Sequence, residues 1–442
     1  MKIAFIGGGS VQWTTGLVVD MALSETLAGA DLVLHDIDPA ALDLLTTACQ
    51  RIVDQLDGNL HITATTDRVA ALQDADFVIL CVSIGGLAAM RNDLEIPERY
   101  GVFQSVGDTV GPGGLARGLR HIPFAVQVAR EMESLCPNAW LLNLTNPMTT
   151  ICRGITRATS IRTIGLCHEV DNVRQRHLAP MFGVPADKIT MAVAGINHLP
   201  VILRMDVDGR DGMDLLQDWL DRHGAFKFAG DHDEDVHDIF KDRLAVKFSL
   251  FEKLGALFGA GDRHVAEFFS GFLTEETNRG QRYGVVLTTV THRELLAVER
   301  RGRIQAFVDG APLEMKKSHE QLAPVMAALV GGPQARCVVN IPNQGQISNL
   351  PADVTVECVA EIDALGVRPI SVGALPYPVY AVISSHVARQ ELIVEAALTG
   401  KKAPALAALA TDPLLRDMET AGPMLEALLA ANGSFGVPLD SQ

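Results

Sequence analysis

A strand that runs into three consecutive glycines is the feature that most restricts the fold of this chain. Lys2–Ile6 is a short apolar run, three glycines follow it, and the apolar segment after Ser10 has helical spacing. Such a turn lets the backbone approach a pyrophosphate, and the N-terminus of the following helix favours negative charge. Gly7 and Gly9 fit the dinucleotide fingerprint, but Gln12 occupies its third glycine position. Taken alone, the segment therefore also fits an ordinary tight turn.

Apolar strands and helical segments alternate through the first third of the chain. This alternation is typical of a parallel sheet that is covered by helices on both faces. We therefore predict an α/β fold with a Rossmann-type parallel sheet. The predicted strands are residues 2–6, 31–36, 61–64, 76–82, 139–143 and 162–166, and the predicted helices between them are residues 17–23, 39–56 and 67–73.

A carboxylate at the end of the second strand supports the dinucleotide interpretation. Asp36 stands where an acidic side chain binds ribose hydroxyls and disfavours a 2′-phosphate, so we predict NAD⁺ in preference to NADP⁺. The predicted cofactor contacts are Gly7, Gly9, Ser10, Asp36, Ser83 and Asn146.

The chain after the fourth predicted strand is harder to interpret. Residues 83–123 are rich in glycine and carry several charged side chains, so we predict a long functional loop there. Beyond residue 166 we predict strands at 189–194 and 199–207, mainly helix over 212–260, a strand pair after the Gly-Gly-Pro at 331–333, and helices in the last sixty residues. These changes predict an NAD-binding domain over 1–166 and a mixed α/β domain for catalysis, metal binding and oligomerisation over 167–442.

Composition excludes several classes of partner. The 442-residue chain has a formal net charge of −16 and no long basic run, which argues against nucleic acid or an anionic membrane as the main partner. No uncharged apolar stretch approaches the ~18 residues that a membrane span requires. The seven cysteines are scattered without paired spacing. We therefore expect free thiols and a cytoplasmic location.

Two motifs that follow predicted strands contain residues suited to a transition metal. Cys167 follows the strand at 162–166, and His198 follows the strand at 189–194. A thiolate and an imidazole are favourable ligands for such an ion, and two protein ligands leave positions open for substrate oxygens. Each residue also has an ordinary alternative, a buried cysteine or a structural histidine.

Several separated motifs make the sequence resemble glycoside hydrolase family 4, a family of NAD-dependent glycosidases. The resemblance covers most of the chain and implies a lactate/malate dehydrogenase-like fold, NAD⁺, Mn²⁺ held by Cys167 and His198, and a homodimer or homotetramer. The motifs are Gly7-Gly8-Gly9-Ser10, Arg91-Asn92-Asp93, Gly107-Asp108-Thr109, Asn143-Leu144-Thr145-Asn146-Pro147, Cys167-His168-Glu169-Val170, Gly195-Ile196-Asn197-His198, Gly261-Asp262-Arg263-His264 and Asn349-Leu350-Pro351.

The resemblance also implies a reaction and roles for individual residues. Hydride leaves C3 of the sugar, a base removes the C2 proton, the aglycone is eliminated, water adds, and the hydride returns. Asp262 is the predicted base, with an ion pair to Arg263 as the alternative, and His168 is a second catalytic residue or only an orienting one. The predicted substrate contacts are Asn146, Arg91, Asp108 and Glu169. The alternatives are a turn role for Asn146, a surface ion pair for Arg91 and loop capping for Asp108.

A histidine directly after the predicted metal-binding cysteine is similar to the motif of the family branches that act on unphosphorylated sugars. Cys167-His168-Glu169-Val170 is similar to the α-glucosidase group, so we predict a small-molecule α-glucoside as the substrate. An α-galactosidase, a uronic-acid α-glycosidase or a 6-phospho-glycosidase of the same family stays open. More distant alternatives are a lactate- or malate-type dehydrogenase and a non-enzymatic NAD-sensing protein.

Overall fold

One mixed sheet organises the described part of the chain. The computed structural model describes residues 1–224, 241–433 and 435. The strands are β1 (Lys2–Ile6), β2 (Ala30–His35), β3 (Leu60–Thr65), β4 (Phe77–Leu80), β5 (Trp140–Asn143), β6 (Arg162–Leu166), β7 (Ile189–Ile196), β8 (Leu199–Val207), β9 (Arg210–Asp211), β10 (Leu257–Phe258), β11 (Ala335–Pro342), β12 (Thr355–Asp363) and β13 (Gly366–Pro369).

The helices cover the sheet and also extend beyond it. They are α1 (Thr14–Ala22), α2 (Pro39–Gln55), α3 (Arg68–Leu72), α4 (Gly86–Glu98), α5 (Gly111–Leu135), α6 (Met148–Ala158), α7 (Glu169–Asn172), α8 (Ala179–Phe182), α9 (Gly212–His223), α10 (Ala245–Leu254), α11 (Asp262–Val265), α12 (Val290–Val308), α13 (Leu322–Leu329), α14 (Tyr377–Thr399), α15 (Lys402–Ala410) and α16 (Ala421–Asn432). Within the described ranges, no helix is both long and apolar enough to cross a bilayer.

The first six strands form the parallel half of the sheet. Their spatial order is β3-β2-β1-β4-β5-β6, and every neighbouring pair is parallel. This is the strand order of a doubly wound dinucleotide-binding sheet, so the Rossmann-type prediction is confirmed. Because parallel strands end at one edge, the segments after β1, β2, β4, β5 and β6 meet there.

An antiparallel extension joins the second half of the chain to the same sheet. β11 pairs with β6, β12 with β11, β7 with β12, and β8 with β7, all antiparallel. The predicted strands at 189–194 and 199–207 and the pair after 331–333 are thus present. The predicted boundary at 166/167 falls between β6 and the turn that follows it, inside a continuous sheet, and the two-domain division stays a prediction.

The C-terminal helices pack on the dinucleotide-binding half rather than forming a separate body. Ile393 and Val394 of α14, together with Leu425 of α16, belong to the same buried apolar cluster as Leu119 and Ile122 of α5. The prediction of helices in the last sixty residues is confirmed up to Gly433, and residues 434 and 436–442 lie outside the described residues. Burying these apolar side chains stabilises the association by roughly 1.5–3 kcal/mol for each fully buried large side chain.

The prediction of a long loop over residues 83–123 is wrong, because most of it forms α4 and α5. Several of its glycines lie at or near the N-termini of these two helices. Gly85 precedes α4 with φ of 76°, and Gly111 starts α5 with φ of 68°. A Cβ on Gly113 would lie 2.7 Å from the Gly107 carbonyl oxygen, and one on Gly114 would lie 2.5 Å from the Thr109 carbonyl carbon. The glycines therefore permit close backbone approach.

The region predicted as mainly helical, 212–260, is mainly helical where it is described. It contains α9, α10 and the short strand β10. The part of that prediction covering residues 225–240 lies outside the described residues.

Candidate active site

A cavity of about 560 Å³ opens beside the carboxyl edge of the parallel strands. Its walls come from the residues between the glycine turn and α1, the segments after β5, β6 and β7, the start of α11, and one face of α12. We call this cavity the pocket. Of the residues predicted for the site, it is lined by Asp108, Asn146, Cys167, His168, Glu169, His198 and Asp262.

The dinucleotide end is built by the turn after β1. Gly7 has φ of 94°, and a Cβ there would lie 1.9 Å from the Cys81 carbonyl oxygen, so only glycine fits. The backbone N–H of Gly9 donates to Asp36 Oδ2 at 3.0 Å. No side chain caps the N-terminus of α1, and its first turn carries no acidic residue. This end fits a dinucleotide, because the helix end can receive an anion and the carboxylate is fixed beside the turn.

We expect Asp36→Asn to weaken NAD⁺ binding by about 10-fold to 100-fold, because hydrogen bonds from ribose hydroxyls to a charged carboxylate are replaced by weaker ones. Binding of NADP⁺ should fall less, which narrows the discrimination between the two cofactors. Titration calorimetry on the full chain measures both affinities. Asp38→Asn is the matched control, because Asp38 caps α2 instead. Equal NAD⁺ affinity in wild type and Asp36→Asn would remove Asp36 from the cofactor site.

Three potential metal ligands converge at the other end of the pocket. One ligand atom from each of Asp108, His198 and His264 lies within 4.8 Å of the others. The imidazole rings of His198 and His264 are 3.9 Å apart between centroids, and burial together with His198 lowers the pKa of His264 to about 3. His264 Nδ1 is buried without a hydrogen-bond partner. Neutral imidazoles beside a carboxylate fit a divalent transition metal.

His198 reaches this cluster from a tight turn between two antiparallel strands. Ile196 of β7 pairs with Leu199 of β8, so Asn197 and His198 form a two-residue loop. His198 has φ of 65°, in the left-handed region that few non-glycine residues adopt. Such a conformation costs about 1–3 kcal/mol and occurs most often at functional sites.

Thr109 fixes the orientation of His198. The single hydroxyl proton of Thr109 is donated to Asp108 Oδ1 at 2.7 Å, and its oxygen lies 2.8 Å from His198 Nδ1. The oxygen therefore accepts from Nδ1–H, which leaves the Nε2 lone pair for a ligand. Burial acts to raise the pKa of Asp108, but the imidazoles of His198 and His264 and the Arg117 guanidinium act against it and hold that pKa well below its usual value.

Cys167, the predicted partner of His198, lines the same pocket but is not one of the three convergent ligands. Burial, with Glu357 and Glu169 nearby, raises the pKa of its thiol well above the usual value, although the Asn197 side chain hydrogen-bonds it. A thiolate there requires a nearby cation, which a metal would supply. The assignment of Cys167 and His198 as the ligand pair stays a prediction.

Asp262, the predicted base, is held by the start of a helix. Its carboxylate accepts hydrogen bonds from the backbone N–H groups of Val246 and Lys247 at 3.0 and 3.1 Å, and lies 3.0 Å from Lys247 Nζ. Lys247 is buried and also contacts Asp242 at 2.5 Å. Burial and Asp242 raise the pKa of Asp262 despite these contacts. The carboxylate thus lines the pocket but also caps α10, a role that the sequence did not indicate.

The two residues after Cys167 are both paired. His168 Nδ1 lies 2.7 Å from Glu320, and although burial opposes protonation, this contact raises the pKa of His168. Glu169 Oε2 accepts from the Gly261 N–H at 2.7 Å. Burial would raise the pKa of Glu169, but the surrounding imidazoles lower it to about 2. Both side chains can orient a bound sugar.

The remaining predicted contacts divide between the pocket and the surface. Asn146 Nδ2 donates to Asp108 Oδ2 at 3.3 Å, while its Oδ1 is buried without a partner and is available to a ligand. Ser83 lies beside Arg117, which also donates to the Asn146 carbonyl at 2.8 Å. Arg91 is not among the described residues that line the pocket, and it pairs with Glu95 and Glu294 in an exposed cluster.

Family models match almost the whole chain. The model described as family 4 glycosyl hydrolase matches residues 2–183, and the model of the family 4 glycosyl hydrolase C-terminal domain matches residues 193–415. The chain belongs to glycosyl hydrolase family 4. The predicted resemblance and the assignment as a glycoside hydrolase are confirmed.

Curated relatives of this family 4 enzyme differ in the sugar that their names give. An alpha-galacturonidase of Bacillus subtilis (strain 168) is 34% identical over 94% of each chain. An alpha-galactosidase of the same strain is 32% identical over 98% of each chain. An alpha-glucosidase of Erwinia rhapontici is 29% identical over 93% of each chain.

Solved structures agree with the family and the fold. The Bacillus subtilis protein LplD, described as a candidate glucosidase, superimposes with a TM-score of 0.90 at 32% identity, over 97% of this chain and 99% of that one. A 6-phospho-alpha-glucosidase from gut microorganisms, in complex with NAD and Mn²⁺, gives a TM-score of 0.84 at 22% identity over 99% of each chain. The predicted cofactors, NAD and Mn²⁺, are thus those that this structural neighbour contains.

Sequence reasoning missed His264, Thr109 and Lys247 as parts of the site. His264 and Thr109 belong to the family-like motifs at 261–264 and 107–109, so their motifs signalled the region but not their contacts. No sequence pattern indicated the contacts of Lys247: Asp242 lies in the segment just before α10, and Asp262 comes close through the packing of α11 against α10.

Proposed function

We propose that this family 4 enzyme hydrolyses unphosphorylated α-glycosides by NAD⁺-dependent, metal-assisted oxidation and elimination. The observation that carries the proposal is the convergence of Asp108, His198 and His264 in a pocket that is also lined by Val11, Gln12 and Trp13, the residues directly after the glycine turn. Bound NAD⁺ and a divalent ion would supply hydride transfer at C3 and acidification of the C2 proton. An oligomer and a cytoplasmic location stay predictions.

Residues of the chain would bind the ion, contact the sugar and remove the C2 proton. Asp108, His198 and His264, with Cys167 beside them, would hold the ion, and Thr109 would keep the His198 ring in the binding orientation. Asn146 would contact a sugar hydroxyl through its unpartnered Oδ1. Asp262 is the base that we propose for the C2 proton. Each of its oxygens accepts one bond from the start of α10, and Oδ2 keeps a second lone pair that can receive a proton.

Two sugar classes are consistent with the motif and the relatives. The Cys-His-Glu-Val motif favours an α-glucoside. The relatives that are 32–34% identical are named for galacturonides and galactosides, whereas the alpha-glucosidase is 29% identical. We therefore propose an α-hexoside or α-hexuronide without a phosphate as the substrate class, with the α-glucoside as the sequence prediction within it.

Release of nitrophenol tests this function directly. Nitrophenyl α-glucoside, α-galactoside and α-galacturonide are supplied with NAD⁺, Mn²⁺ and a reductant each present or withheld. We expect turnover on at least one substrate that is lost when either NAD⁺ or Mn²⁺ is omitted, without net accumulation of NADH. Turnover that is unchanged when NAD⁺ and Mn²⁺ are omitted would exclude the oxidation–elimination mechanism. Stoichiometric NADH would instead support a dehydrogenase.

A further inference from the structure

One face of α12 runs along the pocket and carries an arginine at each end. Arg293, Leu296, Ala297 and Arg300 all line the pocket, and their spacing places them on one helical face. Seven residues separate the two arginines, which corresponds to about 10.5 Å along the axis. Arg300 donates to Gln12 Oε1 at 2.7 Å, beside the glycine turn, so it marks the dinucleotide end.

Arg293 is at the opposite end of this face, near the metal cluster. Its Nε is buried without a hydrogen-bond partner, and no ion pair joins it to a carboxylate within the described ranges. Burial lowers its pKa to about 10, while the largest opposing influence is the Asp108 carboxylate. A buried cation without a close counter-ion is unfavourable, so a site of this kind favours an anionic ligand.

Two further arginines and two carboxyl groups lie around Arg293. Arg263 and Arg117 both act to lower its pKa, so three guanidinium groups lie around Asp108. Burial raises the pKa of the nearby Glu267 carboxyl to about 8, so that group is mostly neutral at pH 7. If Asp108 binds a metal ion, its negative charge is shared with that ion and offsets less of the positive charge of the three arginines. This local excess stands out in a chain with a net charge of −16.

We propose that Arg293 binds the C6 carboxylate of a hexuronic acid, which makes α-hexuronides the preferred substrates of this pocket. The inference rests on the proposed glycosidase function and adds its substrate class. A planar guanidinium pairs with a carboxylate through two parallel hydrogen bonds. A neutral hexoside would leave the buried Nε of Arg293 without a partner. A sugar phosphate offers the same anionic chemistry, and the experiment separates the two.

Binding of free sugars to the NAD⁺- and Mn²⁺-loaded full chain tests the proposal without turnover. Calorimetry compares galacturonate, glucuronate, galactose and galactose 6-phosphate. We expect at least one hexuronate to bind about 10-fold to 100-fold more tightly than galactose, as a charged bidentate contact allows. Equal affinity for galacturonate, glucuronate and galactose overturns the inference. Tighter binding of the 6-phosphate than of either hexuronate overturns it in favour of a phosphate ligand.

Substitutions on α12 assign the effect to Arg293. Arg293→Gln should remove the preference for the hexuronate, and Arg293→Lys should retain part of it because the charge remains without the fork geometry. Arg303→Gln is the matched control, since Arg303 is exposed and pairs with Glu299 on the same helix. If Arg293→Gln retains the preference while folded by circular dichroism, Arg293 is not the anchor. Loss of NAD⁺-dependent turnover on every substrate, with the binding preference intact, would count against the glycosidase proposal and not against this site.

Discussion

Replacing His198 with asparagine is expected to reduce turnover on the order of 10³-fold or more while the protein stays folded. If His198 holds the proposed ion, its loss removes several kcal/mol of transition-state stabilisation, and each 1.4 kcal/mol corresponds to about a factor of ten. Asparagine tolerates the left-handed conformation that His198 adopts at φ of 65°. The free energy of unfolding in metal-free buffer should therefore change by less than about 1 kcal/mol.

The measurement pairs nitrophenol release with metal content after gel filtration. Asp353→Asn is the matched control, because Asp353 also has φ of 65° but does not line the pocket. That variant should keep both its metal and its activity. Activity and metal content of His198→Asn within tenfold of wild type would show that His198 is not a ligand.

The same assay distinguishes the ligand pair predicted from the sequence from the cluster seen in the structure. Asp108→Asn and His264→Gln should lower the metal content if the three convergent residues hold the ion. Cys167→Ser should lower it if the predicted pair of Cys167 and His198 is the site. A loss of metal in all three variants would show that both the convergent cluster and Cys167 contribute ligands to the ion.

The sequence was sufficient for the parallel half of the sheet and for the edge where the site lies. Strand order follows from alternating apolar strands and helices, and the residues after each strand necessarily meet at one edge. Asp36, Asn146 and Cys167 were found in this way, because each directly follows a strand or lies within a few residues of one.

Contacts between segments distant in the sequence were not predictable in the same way. The glycines at 111, 113 and 114 were interpreted as loop residues, but they allow α5 to pack closely. The capping of α10 by Asp262 and the pairing of Arg91 with Glu294 depend on helix packing that no local pattern encodes. Local sequence thus specified the elements, whereas partner choice among charged side chains depended on tertiary structure.

The ion pair between Arg120 and Asp93 should be the most sensitive charged contact in the protein. It joins α5 to α4 through two hydrogen bonds of 2.8 and 2.5 Å, and its side chains are 1% and 0% exposed. Arg120→Met leaves Asp93 buried with only the Asn432 amide at 3.3 Å as a partner among the described residues. We expect the free energy of unfolding to fall by about 3–5 kcal/mol.

Two further variants make this expectation specific. Arg120→Met combined with Asp93→Leu should recover most of the loss, because no uncompensated charge remains. Arg91→Met, on the same α4 helix as Asp93, removes two exposed ion pairs and should cost less than about 1 kcal/mol. Urea unfolding of all variants at one pH measures these differences. If Arg120→Met and Arg91→Met cost the same, the buried pair has no special role in stability.

The pH dependence provides an independent check on the same pair. Burial already acts to raise the pKa of Asp93, and Arg120 is the main group that opposes it. Without Arg120, the folded-state pKa rises further above the unfolded value, so folding favours the protonated carboxyl. Stability of Arg120→Met is then fully present below the unfolded pKa and is lost as the pH rises towards the folded one. The deficit relative to wild type should be smaller at about pH 5 than at about pH 8, and the double variant should show no such trend.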